Sequence, residues 1–164
     1  MKHVLAALLL LALSSRADAR DALGVFGAWG AFRDSRPVRC FAVAEPVYAL
    51  RSEGKAAWRS FASVATWPKR GVRNQLHFRL AKPRGPGTPL QLNIDGARFD
   101  LVSAGVDAWA IDARADAAIV AAMRSGRRLL IVGRARDGSR IEENYALDGA
   151  ATAIDAATLA CAKG

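Results

Sequence analysis

Apolar and polar residues alternate over most of the chain, which is typical of strands that bury one face. In NQLHFRLAKP, Leu76, Phe78 and Leu80 share a face, and polar side chains occupy the other. RCFAVAEP and RSFASVATWP are interpreted as two earlier strands, each ended by a proline, which cannot donate to a sheet ladder. GVFGAWG is interpreted as a glycine-punctuated loop or the start of a strand.

Two later pairs of strands are joined by Asp-Gly turns. Asp95-Gly96 follows the alternating segment PLQLNI, and Asp137-Gly138 divides RRLLIVGRAR from SRIEENYAL. Aspartate and glycine tolerate the positive φ angles that tight type I′ turns require. Each segment is therefore predicted to form a β-hairpin.

The segment DARADAAIVAAMRSG breaks the alternation with apolar residues at helical spacing. Asp112 or Asp116 is expected to cap the start of this helix, and Gly126 fits the C′ position after its end. The predicted apolar face carries Ile119, Val120 and Met123.

A second helix is predicted at the end of the chain, where Ile154, Ala157 and Cys161 recur at helical spacing. Thr152 and Asp155 have the spacing of a capping box, with aspartate in place of the usual glutamate. The helix is short and weakly apolar, so a covalent tie at Cys161 would compensate for modest packing.

Together these elements predict a mainly β protein. The expected architecture is a single-domain antiparallel sandwich or partly closed barrel, with one inserted helix and a C-terminal helix. The prolines and glycines of KPRGPGTP indicate a loop between strands and not a domain linker. Hydrophobic residues make up 52% of the chain, which is enough for one sizeable core and argues against disorder.

The first 19 residues have the order of a secretory signal: a basic start, an apolar run from Val4 to Leu13, and Ala-Asp-Ala at 17–19. A helix needs roughly 20 apolar residues to span a bilayer, and this run is too short. We therefore expect cleavage after Ala19, which leaves residues 20–164 as a periplasmic or secreted domain without a transmembrane segment.

The chain has two cysteines, Cys40 and Cys161, and in an oxidising compartment such a pair is usually a disulfide. The bridge would close a loop of about 120 residues, which stabilises the folded state by about 4–5 kcal/mol in the chain-entropy model. Two free thiols are the alternative, although two cysteines with no nearby histidine make a poor metal site.

The formal net charge is +9, and cleavage would remove Lys2, Arg16 and Asp18, which leaves +8. A basic cytoplasmic protein suggests nucleic acid, but an exported protein meets anionic lipid, lipopolysaccharide phosphate and acidic glycans instead. We therefore expect no nucleic-acid partner. The expected partner classes are anionic lipid, lipopolysaccharide or another exported protein, and solubility alone is the alternative explanation of the charge.

Basic residues recur at the predicted turns, with Trp67 beside the first group and Lys82 and Arg84 in the next loop. If these turns converge, they form an anion-binding face, and tryptophan near arginine also suits sugar stacking or a membrane interface. A scattered, solvated surface is the alternative. The candidate anion-binding residues are Lys69, Arg70, Arg73, Arg124, Arg127, Arg128, Arg134 and Arg136.

Candidate catalytic residues are few, and we expect no enzyme, no metal site and no cofactor. His77 is the only histidine after residue 19, and it is expected on the polar face of a strand. Glu142 and Glu143 are adjacent on a strand, so they should point to opposite faces. The G-x-S-x-G, H-E-x-x-H, P-loop and G-x-G-x-x-G patterns are absent from the sequence. Three aspartates bracket Trp109, namely Asp107, Asp112 and Asp116. They could line a cation or sugar site, but capping of the helix start is the simpler explanation.

The order of these features resembles the invasion-associated locus B family of exported proteins from Gram-negative bacteria. The resemblance covers nearly all of the chain after residue 19. The chain departs from the family pattern at Asn74-Gln75-Leu76, where the family often has Asn-Glu-Val, and at Ala146, where it has serine. The matching positions are Trp29, Cys40, Thr66, Pro68, Asn74, Ala108-Trp109, Ala122-Met123, Gly126, Gly138, Tyr145-Ala146-Leu147, Gly149, Ala153-Ile154 and Cys161.

The resemblance implies an exported, mainly β domain with a disulfide, a link to host-cell invasion and no known enzymatic mechanism. We therefore expect a non-enzymatic domain of the cell envelope that binds an anionic envelope or host component. One alternative is a hydrolase of envelope polymers that uses Glu142 or Glu143 with aspartate partners. Another is a structural or inhibitory partner of a second exported protein.

Overall fold

The computed structural model describes residues 20–50 and 58–162, so the expected signal peptide lies outside the described residues. Within these ranges the chain forms eleven strands, two α-helices and one 3-10 turn, Pro68–Arg70. The helices are α1 (Ala113–Ser125) and α2 (Ala150–Ala162). The strands are β1 (Arg20–Phe26), β2 (Trp29–Ser35), β3 (Val38–Ala44), β4 (Tyr48–Ala49), β5 (Phe61–Trp67), β6 (Val72–Arg79), β7 (Leu90–Ile94), β8 (Ala97–Ala104), β9 (Asp107–Ala110), β10 (Arg128–Arg134) and β11 (Arg140–Ala146).

The strands form one open antiparallel sheet in the order β1-β2-β3-β5-β6-β9-β8-β7-β10-β11-β4. Strand β8 divides this sheet, because its first half pairs with β7 and its second half, from Leu101, pairs with β9. A strand that passes from one layer to the other makes a corner. We call β1, β2, β3, β5, β6 and β9 the first layer, and β7, β10, β11 and β4 the second layer.

The two layers face each other across a continuous hydrophobic core that also includes both helices. The ring centroids of Phe78 in the first layer and Tyr145 in the second lie 6.4 Å apart. The indole Nε1 of Trp29 donates a hydrogen bond of 2.9 Å to the carbonyl oxygen of Ala146. The prediction of a mainly antiparallel β fold with one mid-chain and one C-terminal helix is confirmed.

Helix α1 begins as predicted, because the Asp112 side chain accepts a hydrogen bond of 2.7 Å from the N–H of Ala115. Gly126 has a φ of −78°, so it is not the left-handed residue that the C′ prediction implies. A Cβ at this position would lie 2.6 Å from Cγ2 of Ile94, so close packing requires the glycine. The buried face of α1 is the predicted one, Ile119, Val120 and Met123.

Helix α2 begins at Ala150, earlier than its sequence suggests, so the prediction of a capping box at Thr152 and Asp155 is wrong. Asp155 instead forms an ion pair of 2.5 Å with Arg124 near the end of α1. The buried side of α2 packs against β1, β2, β3 and β5, and it carries the predicted residues Ile154, Ala157 and Cys161.

The predicted disulfide is present. Cys40 in β3 and Cys161 near the end of α2 are joined by an S–S bond of 2.02 Å, with their Cα atoms 5.8 Å apart. The bridge spans 121 positions of sequence and closes most of the described chain into one loop. It therefore fixes the terminal helix against an early strand.

The interpretation of GVFGAWG as a loop or a strand start is only partly correct, because the segment ends β1, forms the turn at Gly27 and Ala28, and begins β2. Gly27 lies in this turn with a φ of 54°, in the left-handed region. Strand β1 was missed because most of its residues are exposed and show no alternation. The two-residue β4 and the four-residue β9 are too short to give a periodic signal.

Candidate functional site

The sheet register brings two basic turns to the same end of the first layer. At this end Ser35 pairs with Val38, Cys40 pairs with Thr66, and the β5–β6 turn follows directly. We call this region the basic end. It has seven cationic and two acidic side chains, Asp21 and Asp34, and hence a net formal charge of +5. The cations are Arg20, Arg33, Arg36, Arg39, Lys69, Arg70 and Arg73.

Arginine and aromatic side chains stack on the outer surface of the basic end, and we call this arrangement, which includes Arg39, Phe41 and Trp67, the ladder. Asp34 accepts hydrogen bonds from Arg20 (2.8 Å) and from Nη2 of Arg39 (2.6 Å). The Arg39 guanidinium lies 4.2 Å from the ring centroid of Phe41 and 5.1 Å from that of Trp67. Burial raises the pKa of Asp34, but the hydrogen bonds and charges of the two arginines outweigh it and lower that pKa.

The β5–β6 turn continues this ladder into solvent. The guanidinium of Arg70 lies 5.0 Å from the ring centroid of Trp67, on which Arg39 also lies. Lys69, Arg70 and Arg73 are all exposed, and within the described ranges none of them forms an ion pair. The ladder therefore positions Arg70, and Lys69 and Arg73 are two further uncompensated cations at the same end of the sheet.

Behind the turn lies a cavity of about 360 Å³, which we call the disulfide pocket. Asn74 has a φ of 51°, a left-handed conformation that asparagine tolerates better than most residues. Its N–H donates a hydrogen bond of 3.3 Å to Oγ1 of Thr66. The pocket is lined by Thr66, Pro68, Gly71, Val72, Arg73, Asn74, Thr158, Cys161 and Ala162.

A second predicted group, Arg124, Arg127 and Arg128, lies where α1 leads into β10, and we call this region the α1–β10 junction. The hydrogen bond between Arg124 and Asp155 raises the pKa of Arg124 and, from the other side, lowers that of Asp155. The N–H of Arg127 donates a hydrogen bond of 2.7 Å to Asp95. Two carboxylates thus accompany three cations, which leaves a net formal charge of +1.

The last predicted group, Arg134 and Arg136, lies at the opposite end of β10 from Arg128. A strand rises about 3.3 Å per residue, so roughly 20 Å separate the ends of this strand. Arg134 donates a hydrogen bond of 3.2 Å to the carbonyl oxygen of Gly138. The candidate residues therefore divide into three groups and do not form one continuous face.

Lys82 and Arg84 do not belong to an anion-binding face. Lys82 is only 4% exposed, and its Nζ donates hydrogen bonds of 3.1 Å to Ser139 and to the carbonyl oxygen of Arg140. Arg84 donates to Ser103 and to the carbonyl oxygen of Thr88. Both side chains fasten the β6–β7 loop, because burial makes a cation use its donors within the protein.

Sequence reasoning missed the contribution of β1, β2 and β3 to the basic end, namely Arg20, Arg33, Arg36 and Arg39. The only local signal was the arginine-rich stretch FRDSRPVRC, which is a β2–β3 hairpin. The pairing of β3 with β5 brings this hairpin beside the β5–β6 turn, and that pairing has no signature in either strand alone.

The adjacent glutamates do not form a facing catalytic pair. Glu143 is fully buried, where it accepts hydrogen bonds from the N–H of Ala81 (2.5 Å) and the hydroxyl of Tyr145 (2.8 Å). Burial and the charge of Glu143 raise the pKa of Tyr145. Glu142 lies on the opposite face and pairs with Arg140 at 2.8 Å. Glu143 therefore fastens the loop after β6 to β11.

His77 lies on the outer face of the first layer, as predicted. Its Nε2 is 2.8 Å from Oδ1 of Asp107, and its ring stacks on Trp109 with centroids 5.4 Å apart. The hydroxyl of Ser63, the residue paired with His77, donates to the carbonyl oxygen of His77 and not to its ring. The Ser–His–Asp order of a hydrolase is therefore not assembled here.

Asp112 and Asp116 have structural partners. Asp112 caps α1, and Asp116 accepts a hydrogen bond of 2.8 Å from the N–H of Leu76, which ties the helix to β6. Burial, assisted by the charge of Asp112, raises the pKa of Asp116 against the effect of that hydrogen bond. Capping and helix docking therefore account for both residues.

In the ranges that the structure describes, no cluster of three or more His, Cys, Asp or Glu side chains is arranged to hold a metal ion. None of the described helices is long and apolar enough to cross a membrane. In comparisons with protein-family models, curated proteins and solved structures, the chain gives no match. The resemblance to the invasion-associated locus B family therefore stays a prediction.

Proposed function

We propose that this protein is an exported, non-enzymatic binding domain of the cell envelope. Its basic end engages an anionic envelope or host component, of which anionic lipid and lipopolysaccharide are the leading candidates. The observation that carries this proposal is the concentration of seven cations and only two carboxylates at one end of the first layer, in two adjoining turns and the strand ends beside them. The family resemblance adds a link to host-cell invasion.

Aromatic side chains beside the cations support a lipid or lipopolysaccharide surface in particular. Trp67 lies between the ladder and the exposed turn, and arginine with tryptophan suits the boundary between charged headgroups and acyl chains. The ladder also restricts Arg39 and Arg70 before any ligand arrives, which lowers the entropy lost on binding.

The disulfide is compatible with export, because disulfides persist in oxidising compartments. The hydrolase alternative has less support, since it requires two carboxylates that face each other across a cleft roughly 5–10 Å wide. Glu142 and Glu143 point to opposite faces, and Glu143 is buried with its oxygens bonded. Co-purification from the periplasm distinguishes binding to another exported protein.

Sedimentation with vesicles tests the proposal. The purified protein should bind phosphatidylcholine vesicles that contain phosphatidylglycerol, and also lipopolysaccharide, but not phosphatidylcholine alone. Binding should weaken steeply as salt shortens the Debye length from about 30 Å at 0.01 M to about 8 Å at 0.15 M. Absence of binding to both anionic probes at low salt would overturn the proposal.

A pair of charge-matched variants locates the surface. Reversal of Lys69, Arg70 and Arg73 to glutamate should lower vesicle partitioning by about 100-fold or more, since each cation near an anionic membrane contributes about 1 kcal/mol. The control reverses Arg128, Arg134 and Arg136 to glutamate, which changes the net charge equally in the second layer. Equal losses in both variants would show that total charge, and not the basic end, controls binding.

A further inference from the structure

The disulfide pocket differs from the rest of the basic end because it is concave and presents hydrogen-bond donors. The Thr66 hydroxyl accepts from the N–H of Asn74, so its own proton can be donated to a ligand. The Asn74 side-chain amide contacts Oγ1 of Thr158 at 3.4 Å, and the Thr158 hydroxyl donates its single proton to the carbonyl oxygen of Ile154 at 2.8 Å. At least one N–H of the Asn74 amide therefore has no partner within the described residues. Arg73 adds an exposed guanidinium to the lining.

The volume and charge of the pocket suit a small, strongly charged anion. Its 360 Å³ lies at the lower end of the range for ligand pockets, about 300–1,000 Å³. The carbonyl end of α2 brings about half a negative charge, which the net +5 of the basic end outweighs. A hydroxyl, an amide and a guanidinium together match the oxygens of a phosphate group.

The backbone of Asn74 strengthens this assignment. Asn74 adopts its left-handed conformation at the register shift between β5 and β6, and such a bulge re-aims the side chains beside it. Here the left-handed turn accompanies a side chain that lines the pocket, immediately after Arg73 in sequence. In a regular strand, the side chains of Arg73 and Asn74 would instead point to opposite faces of the sheet.

We propose that the disulfide pocket binds a phosphate monoester, with Arg73, Thr66 and Asn74 as its donors. A monoester is favoured over a diester because it is doubly charged and leaves three oxygens free for the protein. This inference rests on the proposed function, since it names the group that the basic end recognises. A soluble phosphoester and a lipid headgroup share this chemistry, so the two measurements below distinguish these sources.

Calorimetric titration with glycerol 3-phosphate tests the soluble source. Asn74→Asp keeps the size and left-handed tolerance of the side chain but replaces the donor by a carboxylate. Asn144→Asp is the matched control, because it adds the same charge to β11 in the second layer. Affinity should fall at least tenfold in Asn74→Asp and stay within twofold in the control, with both proteins folded by circular dichroism.

Vesicles of matched surface charge test the lipid source. Phosphatidic acid presents a monoester and phosphatidylglycerol a diester, so a lipid ligand predicts tighter binding to phosphatidic acid that Asn74→Asp abolishes. Asn74-dependent binding of glycerol 3-phosphate, or an Asn74-dependent preference for phosphatidic acid vesicles, supports the pocket and identifies the source. Equal behaviour of Asn74→Asp and Asn144→Asp in both measurements would overturn it.

These results separate the two proposals. If the wild-type protein binds phosphatidylglycerol vesicles at low salt but shows no Asn74-dependent selectivity, the pocket inference fails and the proposed function stands. If it binds no anionic vesicle or lipopolysaccharide but binds glycerol 3-phosphate through Asn74, the pocket inference stands and the membrane-surface function fails.

Discussion

The basic end and the α1–β10 junction contain similar residues but have different electrostatic character. Each has three arginine or lysine side chains close together in sequence that are candidates for anion binding. At the junction, Asp95 and Asp155 reach these cations from the β7–β8 turn and from α2. At the β5–β6 turn no carboxylate pairs with Lys69, Arg70 or Arg73 within the described ranges.

The difference shows that a run of basic residues keeps its charge uncompensated only where the fold brings no carboxylate to their side chains. Asp95 and Asp155 each lie about 30 positions from the arginines that they accompany. Asp155 occupies the guanidinium donors of Arg124, whereas Asp95 accepts from the backbone N–H of Arg127 and leaves its guanidinium donors unused within the described residues. Arg124 therefore has less capacity for an external anion than Lys69, Arg70 or Arg73.

Removal of the disulfide should have the largest effect. Reduction should lower the free energy of unfolding by about 4–5 kcal/mol, as expected for a loop of this length. Amide exchange should increase more at the β5–β6 turn than at the junction, because Cys161 lies beside Thr66 at the former. Urea unfolding and hydrogen exchange measure the two effects.

A Cys40→Ser/Cys161→Ser protein is the control, and its stability should not respond to reductant. If reduction of the wild type increases amide exchange equally at the β5–β6 turn and at the junction, the disulfide does not act preferentially on the basic end.

Trp67→Ala should have an intermediate effect. It removes the ring on which Arg39 and Arg70 both lie, and two such contacts at a partly exposed site stabilise the protein by about 1–2 kcal/mol. Partitioning onto phosphatidylglycerol vesicles should fall several-fold. Trp109→Ala is the matched control, since it removes a tryptophan that stacks on His77 instead. Similar loss of vesicle binding in both variants would show that the ladder has no specific role in anion binding.

The smallest expected effect is a difference between the two regions in how strongly acid lowers the stability of the protein. The pKa of Asp34 is lowered in the folded protein, so its stabilising contribution is present above the unfolded pKa of about 3.9 and is lost as pH falls through the lower folded value. Urea midpoints should therefore decrease less between pH 5 and pH 2.5 in Asp34→Asn than in the wild type.

Asp155→Asn provides the comparison at the junction. The pKa of Asp155 is also lowered, but its side chain is 53% exposed, and solvent weakens such ion pairs. The acid dependence of this variant should stay close to that of the wild type. A larger change in Asp155→Asn than in Asp34→Asn would mean that the junction is the more strongly organised of the two regions.

Much of the fold was predictable because the signals are local. Alternation of apolar and polar residues predicted β3, β5 and β6, and the Asp-Gly turns predicted both later hairpins. The aspartate cap and the helical spacing predicted α1. The signals failed where structure is not periodic. Strand β1 is largely exposed, and the start of α2 depends on Gly149, where a Cβ would lie 1.8 Å from the carbonyl oxygen of Phe26.

The candidate site was predictable only in part. The residues of the β5–β6 turn were identified from their charge and from the nearby Trp67. Arg39, which lies on the same Trp67 ring as Arg70, was not identified, because nothing in the sequence gives the register of β3 against β5. The burial of Lys82 and Glu143 was also missed, since a charged residue in an alternating strand does not reveal which face will be covered.

The sequence by itself determined which residues are apolar, where the turns lie and that two cysteines are present to pair. These properties depend on each residue and its near neighbours, through side-chain chemistry and the allowed backbone angles. Only the tertiary structure decided which arginines keep their charge available. That outcome depends on strand order and register, which place Asp155 beside Arg124 and Asp34 beside Arg20 and Arg39, and bring no carboxylate to Lys69, Arg70 or Arg73 within the described ranges.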